Sequence, residues 1–231
     1  MKIHGFICQW KGQEENAIAL QRAMEPFIDV TVISTEESIR EKHPHWIHLD
    51  QGAYFSQQWN QARDLFSGDI FFQMQSDARF DDFERLFQKV ATVFSTGRVG
   101  VYEPNINFTA HQYEIGRLQS FDNNLYEIPM TDTICWFIGA DILFQLPPID
   151  LSINTLGWGV CAAIAALCHI NNKVCVRDYS FTVIHPEGSG YSNKKAMAEK
   201  LKYFESLDPA IRREITSIHK KQWRMNRKMV P

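Results

Sequence analysis

At 231 residues, 45% hydrophobic and 22% charged, the chain is long enough to bury one large core and too short for two comfortable ones. A formal net charge of -3 provides no basic field for nucleic acid, an aromatic content of 13% excludes the composition of a disordered chain, and no apolar run approaches the roughly 18 residues of a membrane span. Five cysteines with no Cys-x-x-Cys spacing (Cys8, Cys135, Cys161, Cys168, Cys175), and the lack of a basic-then-apolar leader, read as a reduced cytoplasmic protein with its thiols packed in the core.

Residues 2–8 (KIHGFIC) and 30–34 (VTVIS) are short runs rich in β-branched and aromatic residues. Between them, over 14–27, Ala17, Leu20, Ala23 and Met24 recur at helical spacing. The order predicts a β-α-β unit. A second unit follows: a short strand at 45–49, a helix over 56–66, a Ser67-Gly68-Asp69 turn and a strand at 70–74. Two such units in succession predict parallel pairing. Asp81 and Asp82 open a helix running to Phe94, and 99–102 is the next strand. The polar, irregular stretch 105–124 predicts a long excursion or hairpin.

The β-prone run TICWFI at 133–138 reads as a strand, Pro147-Pro148 breaks any helix, and Ala-rich 162–169 predicts a helix just beyond Gly157-Trp158-Gly159. Two closing strands are expected, at 174–176 and 181–184, ahead of a Gly-rich loop at 185–191. The remainder, 194–229, is helical in character with a break at Asp208-Pro209, and Leu201, Phe204, Ile211, Ile215 and Ile218 form a stripe for docking on the core. From His219 onward this tail carries Lys220, Lys221, Arg224, Arg227 and Lys228 and no acid, leaving about -8 on the body. Such a cluster suits peripheral contact with an anionic membrane, with Trp223 at the interface, and equally a solvated helix end. The expected organisation is α/β, a mixed and mostly parallel sheet flanked by helices over 1–193 with a basic helical tail at 194–231.

The strand at 70–74 changes at its carboxyl end to Gln75-Ser76-Asp77, and open parallel sheets bind ligands beyond those strand ends. Asp77 is therefore placed to hold Mn2+ or Mg2+ against a diphosphate, while the same spacing allows it to cap the following helix. A His before a proline is by itself more often structural. His185 gains interest from its place after a strand, ahead of Glu187-Gly188-Ser189-Gly190-Tyr191, whose glycine amides and tyrosine hydroxyl suit a pyrophosphate. Gln9, Trp10 and Lys11 follow the first strand. Trp10 is suited to stack on a base and Lys11 to approach phosphate, or else Trp10 is an edge residue of the core beside a solvated lysine.

The stretch from Asn60 through Gly68-Asp69 to Gln75-Ser76-Asp77 resembles the GT-A glycosyltransferases of family two, where an Asn-containing helix, a Gly-Asp turn and a buried strand lead into an Asp-x-Asp motif. Gln75 stands where that motif has its first acid. Thr131-Asp132-Thr133 followed by Trp136, then Gly157-Trp158-Gly159, then His185 at the end of a late strand, are similar in order to further landmarks of the family. The resemblance covers about residues 1–191. It implies a Rossmann-like GT-A fold and transfer of one sugar from a nucleoside-diphosphate-sugar donor to a glycan, lipid-linked or protein acceptor. It further implies a cation held by Asp77 and His185, a donor site lined by Gln9, Trp10, Lys11, Ser34, Asn60, Gln75, Ser76 and Tyr191, and an acceptor side formed by Trp136, Gly157, Trp158 and Gly159. Many relatives carry a base-reading acid after the second strand, where this chain has Ser34 and Thr35.

The resemblance also implies an acid just past the Gly-Trp-Gly turn as general base. Cys161 takes that place here and reads as a packed thiol, so Asp132 is favoured over Asp150 as the base. With neither, the departing phosphate would receive the acceptor proton and configuration would be retained. Gln75 and Cys161 equally suit a nucleotide-sugar-binding protein that has lost catalysis. A nucleotidyltransferase is disfavoured, since no Gly-rich loop bearing Arg or Lys follows the first strand.

Overall fold

A computed structural model of the chain describes residues 1–109, 111, 113–118, 123–187 and 191–229, with side chains as far as 222. The first half alternates strand and helix: β1 (Ile3–Gln9), α1 (Glu14–Met24), β2 (Asp29–Ser34), β3 (Ile47–His48), α2 (Phe55–Leu65), β4 (Ile70–Gln75) and α3 (Phe83–Phe94). Helix α1 stops at Met24 rather than reaching Phe27: Glu25 keeps helical dihedrals and bonds the Gln21 carbonyl, but Pro26 has no amide N–H to continue the ladder. The second half holds β5 (Val99–Ile106), β6 (Gly116–Arg117), β7 (Leu125–Ile128), β8 (Cys135–Gly139), α4 (Ala140–Leu143), α5 (Val160–Ile170), β9 (Val174–Val183), α6 (Asn193–Ser206) and α7 (Pro209–Met229).

These strands form one mixed sheet in the order β3-β2-β1-β4-β8-β5-β9-β7-β6. The β3-β2-β1-β4 half is parallel, as two successive β-α-β units require. Strand β8 then enters antiparallel to both β4 and β5, while β5 and β9 are parallel. All seven residues of β1 are buried, the mark of a central strand covered on both faces. Helices α1 and α3 cover one face through Leu20, Met24, Leu86 and Val90. Helices α2, α5 and α7 cover the other through Trp59, Ile164, Leu167 and Ile215.

Two strand boundaries differ from the sequence reading. Strand β5 continues past Tyr102 because Glu103 finds Arg177 opposite it on β9, and Pro104 falls beyond the reach of β8, where a missing amide N–H breaks no bond with that neighbour. The two closing strands are one: β9 absorbs the polar Tyr179 and Ser180 in a register shift between Pro104/Asp178 and Asn105/Thr182. Part of 105–124 supplies β6, which pairs with β7 just beyond it, and β7 in turn pairs with β9.

Helix α5 is buried almost all round, being sandwiched between the sheet and α7. Ile211, Ile215 and Ile218 of α7 lie in the same core, worth about 1.5–3 kcal/mol each in burial. Leu201 does not join this stripe. It is 56% exposed, whereas Tyr203 and Leu207 are the α6-side residues that turn inward.

Candidate active site

A cavity of about 1030 Å3 opens beyond the carboxyl ends of β1, β2 and β4, where a sheet of this kind presents its ligand crevice. Trp10, Lys11, Gln75, Asp77, Asp132, Gly157, Trp158, Gly159, His185 and Tyr191 all line it. A shallower depression of about 710 Å3, bordered by Met1, Phe27 and Phe87, lies at the amino ends of the first strands, away from these residues.

Asp77 and His185 come from distant parts of the chain and meet because Arg79 and Ile184 form a two-way backbone bridge, with N···O distances of 2.8 and 3.0 Å. The backbone N–H of His185 donates to Asn107 Oδ1 at 2.7 Å, which fixes the strand end. His185 Nε2 then stands 3.4 Å from Asp77 Oδ1, with side chains only 9% and 19% exposed. Asp77 Oδ1 and His185 Nδ1 are buried without a hydrogen-bond partner among the described residues. Two such atoms on adjoining side chains at the cavity wall suit a bound ligand.

A carboxylate oxygen and an imidazole nitrogen sharing one divalent ion at about 2.0–2.2 Å each, near a right angle, would stand roughly 3 Å apart. The pair fits such an ion. Among the described residues no cluster of three or more His, Cys, Asp or Glu gathers, so phosphate oxygens and water would have to complete the shell, as Mg2+ sites commonly allow. Gln75 does not substitute for the missing acid, because its Nε2 donates to the Thr133 carbonyl at 3.4 Å.

At the nucleotide end, Gln9 and Ser34 are fully buried and stand behind the cavity wall. Ser34 Oγ donates to Gln9 Oε1 at 2.5 Å, and Gln9 Nε2 donates to Glu36 Oε2 at 3.0 Å. The Gly12 amide also donates to that oxygen, at 3.2 Å. Glu36 is thus the acid delivered by β2, two residues beyond Ser34. The sequence carried its signal, an acid just past the strand, one residue later than the reading looked. Gln58 Nε2 ties the same corner together by donating to the carbonyls of Gln9 and Ile33 at 2.9 and 3.0 Å.

Three expected site residues lie elsewhere. Asn60 clamps the loop after Pro147-Pro148, donating to the Ile149 carbonyl at 2.8 Å and accepting from its amide at 2.9 Å. Ser76 is fully buried and off the cavity wall, its amide bonded to the Cys8 carbonyl at 3.0 Å. Trp136 is fully buried on the helix-covered face, 5.3 Å from Trp59, because strand alternation sends Trp136 and Ile138 to one core and Cys135 and Phe137 to the other. Gly188 and Gly190 of the proposed pyrophosphate loop lie outside the described residues.

On the far side Asp132 lines the cavity, accepting from Thr109 Oγ1 and from the Thr133 amide, both at 2.8 Å. Its own amide donates to Glu103 Oε2 at 2.8 Å. Glu103 and Arg177 form an ion pair that is 0% and 1% exposed, and Arg177 also donates to the His111 carbonyl at 2.5 Å. Sequence reasoning missed this pair, which holds two cavity-lining segments. Burial pushes the Glu103 carboxyl up to about 7 against the pull of Arg177, while the pairing raises Arg177 despite its own burial. The guanidinium therefore keeps its charge, and the carboxylate is the partner that yields first. Burial and the nearby Asp132 push the Cys161 thiol up to about 12, too high for a base near neutral pH.

The Gly157-Trp158-Gly159 turn is held from α6. Burial works to raise Glu199, but the amides of Leu156 and Thr155, donating at 3.0 and 2.9 Å, outweigh it and hold the carboxyl below its ordinary range. Trp158 Nε1 donates to Tyr191 Oη at 2.8 Å.

No family model and no curated protein matches the sequence. Solved structures do. GalNAc-T7 with UDP, GalNAc and Mn2+ aligns at a TM-score of 0.64 and 10% identity, over 83% of this chain and 44% of that one. The mannosyltransferase PcManGT from Pyrobaculum calidifontis, with GDP-Man and Mn2+, aligns at 0.58 and 12% identity over 93% and 68%. S. aureus TarS residues 1–349 with UDP-GlcNAc aligns at 0.60 and 13% identity over 95% and 72%. The chain spans less than half of the first of these, and at such low identity the likeness speaks to architecture: the mixed sheet with its reversed β8 is a GT-A fold.

Proposed function

We propose that the chain is a glycosyltransferase that moves one sugar from a nucleoside-diphosphate-sugar donor to an acceptor hydroxyl. The observation that carries this reading is the meeting of Asp77 and His185, 3.4 Å apart with orphaned polar atoms, at the mouth of β4 inside a cavity large enough for a donor and part of an acceptor. The two side chains would hold Mn2+ or Mg2+ there. When bound, the cation supplies charge neutralisation at the departing diphosphate. In this reading Trp10 and Glu36 take the base and Lys11 the phosphate, which their place on the cavity wall supports. Asp132 is the carboxylate on the acceptor side, and with one bond accepted on each oxygen among the described residues it keeps lone pairs for a hydroxyl proton.

The test is transfer from a panel of nucleotide sugars with Mn2+. Asp77→Ala is expected to lower turnover by about 10²-fold or more, as loss of a group stabilising the leaving charge does. Near-normal activity in that variant would reject the site. Proton NMR of the first-formed product assigns the base: an anomer opposite to the donor supports Asp132, and a retained anomer removes its role.

A second reading, a nucleotide-sugar-binding protein without turnover, is favoured by Gln75 turned onto the Thr133 carbonyl and by the inert Cys161 thiol. Nucleotide-sugar binding without hydrolysis or transfer would select it. We also infer a cytoplasmic setting, which the unpaired cysteines suit, and peripheral contact of the basic end of α7 with anionic lipid. No helix among the described residues is long and apolar enough to cross a membrane. Equal sedimentation with neutral and anionic vesicles would remove the lipid contact.

A further inference from the structure

The acceptor end of the cavity has an unusual wall. Tyr54 is 46% exposed, Phe108 41% and Tyr191 36%, and Trp158 is half-buried beside them, all facing one opening. Four large rings left partly wet around one cavity are costly unless something covers them.

Three of these rings, Tyr54, Trp158 and Tyr191, stand on fixed supports. The Tyr54–Phe55 entry to α2 is pressed on the Gly157 turn so closely that a Cβ at Gly157 would lie 2.1 Å from the Phe55 ring. The hydrogen bond from Trp158 to Tyr191 uses the only polar atom of the indole and sets the two rings near perpendicular, at 70°. What Trp158 offers the cavity is therefore ring surface in a fixed orientation. Polar groups are interleaved with these rings: Asp132, whose charge is felt by Tyr191 and by Cys161, together with Thr109, His111 and Lys200. Branched aliphatic side chains, by contrast, number only Ile134 and Leu156 among the described lining residues.

Aromatic faces alternating with hydrogen-bonding groups match a molecule with one face of C–H bonds and a rim of hydroxyls. A polyprenyl chain would want a continuous aliphatic groove, and an extended peptide would want an open strand edge. We propose that the acceptor is a saccharide, its pyranose ring packed on Tyr54, Phe108, Trp158 and Tyr191 with one hydroxyl directed at Asp132. The inference rests on the glycosyltransferase reading. In the step it describes, the acceptor oxygen's lone pair forms the new bond to the donor's anomeric carbon. The anomeric carbon–oxygen bond breaks with its electron pair leaving on the nucleoside diphosphate, and the hydroxyl proton passes to the Asp132 carboxylate.

The experiment uses the full chain, Mn2+ and a nucleotide-sugar panel, with three acceptor arms: short free oligosaccharides and p-nitrophenyl pyranosides, a polyprenyl phosphate, and a Ser/Thr peptide. Donor affinity is measured separately by calorimetry. Transfer to a free saccharide is expected, with acceptor KM raised roughly tenfold in Trp158→Ala and Phe108→Ala and nucleotide affinity unmoved. Trp158→Phe, which keeps a stacking face, is expected to recover most of that loss and guards against a misfolded alanine variant. Donor binding together with transfer confined to polyprenyl phosphate or to the peptide, or an acceptor KM indifferent to these substitutions, overturns the saccharide assignment alone. Failure to bind any nucleotide sugar overturns the donor reading, and this inference falls with it.

Discussion

Asp132 and Cys161 stand near one another in the acceptor half of the cavity, and only one of them is fit to take a proton. A thiol pushed up to about 12 is protonated at neutral pH, whereas Asp132 lies in reach of solvent with its oxygens shared between Thr109 and Thr133. Asp132→Asn is therefore expected to lower kcat by about 10²–10⁴-fold with donor affinity retained, and Cys161→Ala to cost far less. Steady-state kinetics beside nucleotide titration separates the two. That three of these residues share one cavity was legible in the sequence: Asp77 from the polarity break after an apolar strand, His185 from its place after a late one, and Asp132 from its place in the order of family landmarks. The buried Glu103–Arg177 pair was not legible, since each reads as an ordinary surface charge until the parallel pairing of β5 and β9 sets them side by side.

The turn between Asn154 and Val160 shows how elements position side chains. Gly157 and Gly159 adopt φ of +77° and +99°, a region that residues with a Cβ rarely enter, and Asn154 Oδ1 accepts from the Gly157 amide at 2.9 Å. Gly157→Ala would place its methyl carbon 2.1 Å from Phe55 Cδ1, so α2 and the turn would have to separate. A loss of about 2–4 kcal/mol is expected, seen as a fall in Tm of several degrees, together with weaker acceptor use because Trp158 moves with the turn. Regular elements could be placed to within two residues from sequence, α3 by its opening acids and α5 by its run of alanines. Element ends set by tertiary partners could not: β9 continues beyond Tyr179 and Ser180 because β5, after a register shift, pairs again with Thr182 and Val183.

At the level of the whole molecule, pH acts through histidines held neutral. His4 Nδ1 accepts from the Ser67 amide and its Nε2 lies 3.2 Å from Thr31 Oγ1, so a second ring proton would face an N–H donor. Burial lowers His4, His111 and His219 alike. Their folded pKa values lie below the unfolded value near 6.5, so the unfolded chain binds more protons in that interval. The stability they contribute is present at pH 7 and is lost as pH falls below about 6.5 through the folded values. Glu103, raised by burial, acts in the opposite sense, so the difference between variants is what isolates each group. The gap in Tm between wild type and His4→Gln is expected to change in favour of the variant as pH goes from 7 to 5.5. A gap that stays constant would show that His4 does not titrate as the fold dictates.

Strand β8 runs against both of its neighbours, so it brings the residues that precede it to the same edge where β4 brings the residues that follow it. Among the described residues between Ile106 and Cys135, Phe108, Thr109, His111 and Asp132 reach the cavity, whereas Trp10, Lys11, Thr35 and Glu36 come from the ends of β1 and β2. On the proposed reading, donor choice and acceptor choice thus draw in part on separate stretches of chain. Replacing Phe108 and His111 while keeping Asn107, which holds His185, is expected to change which recipient is used and to leave the recognition of the activated sugar as it was.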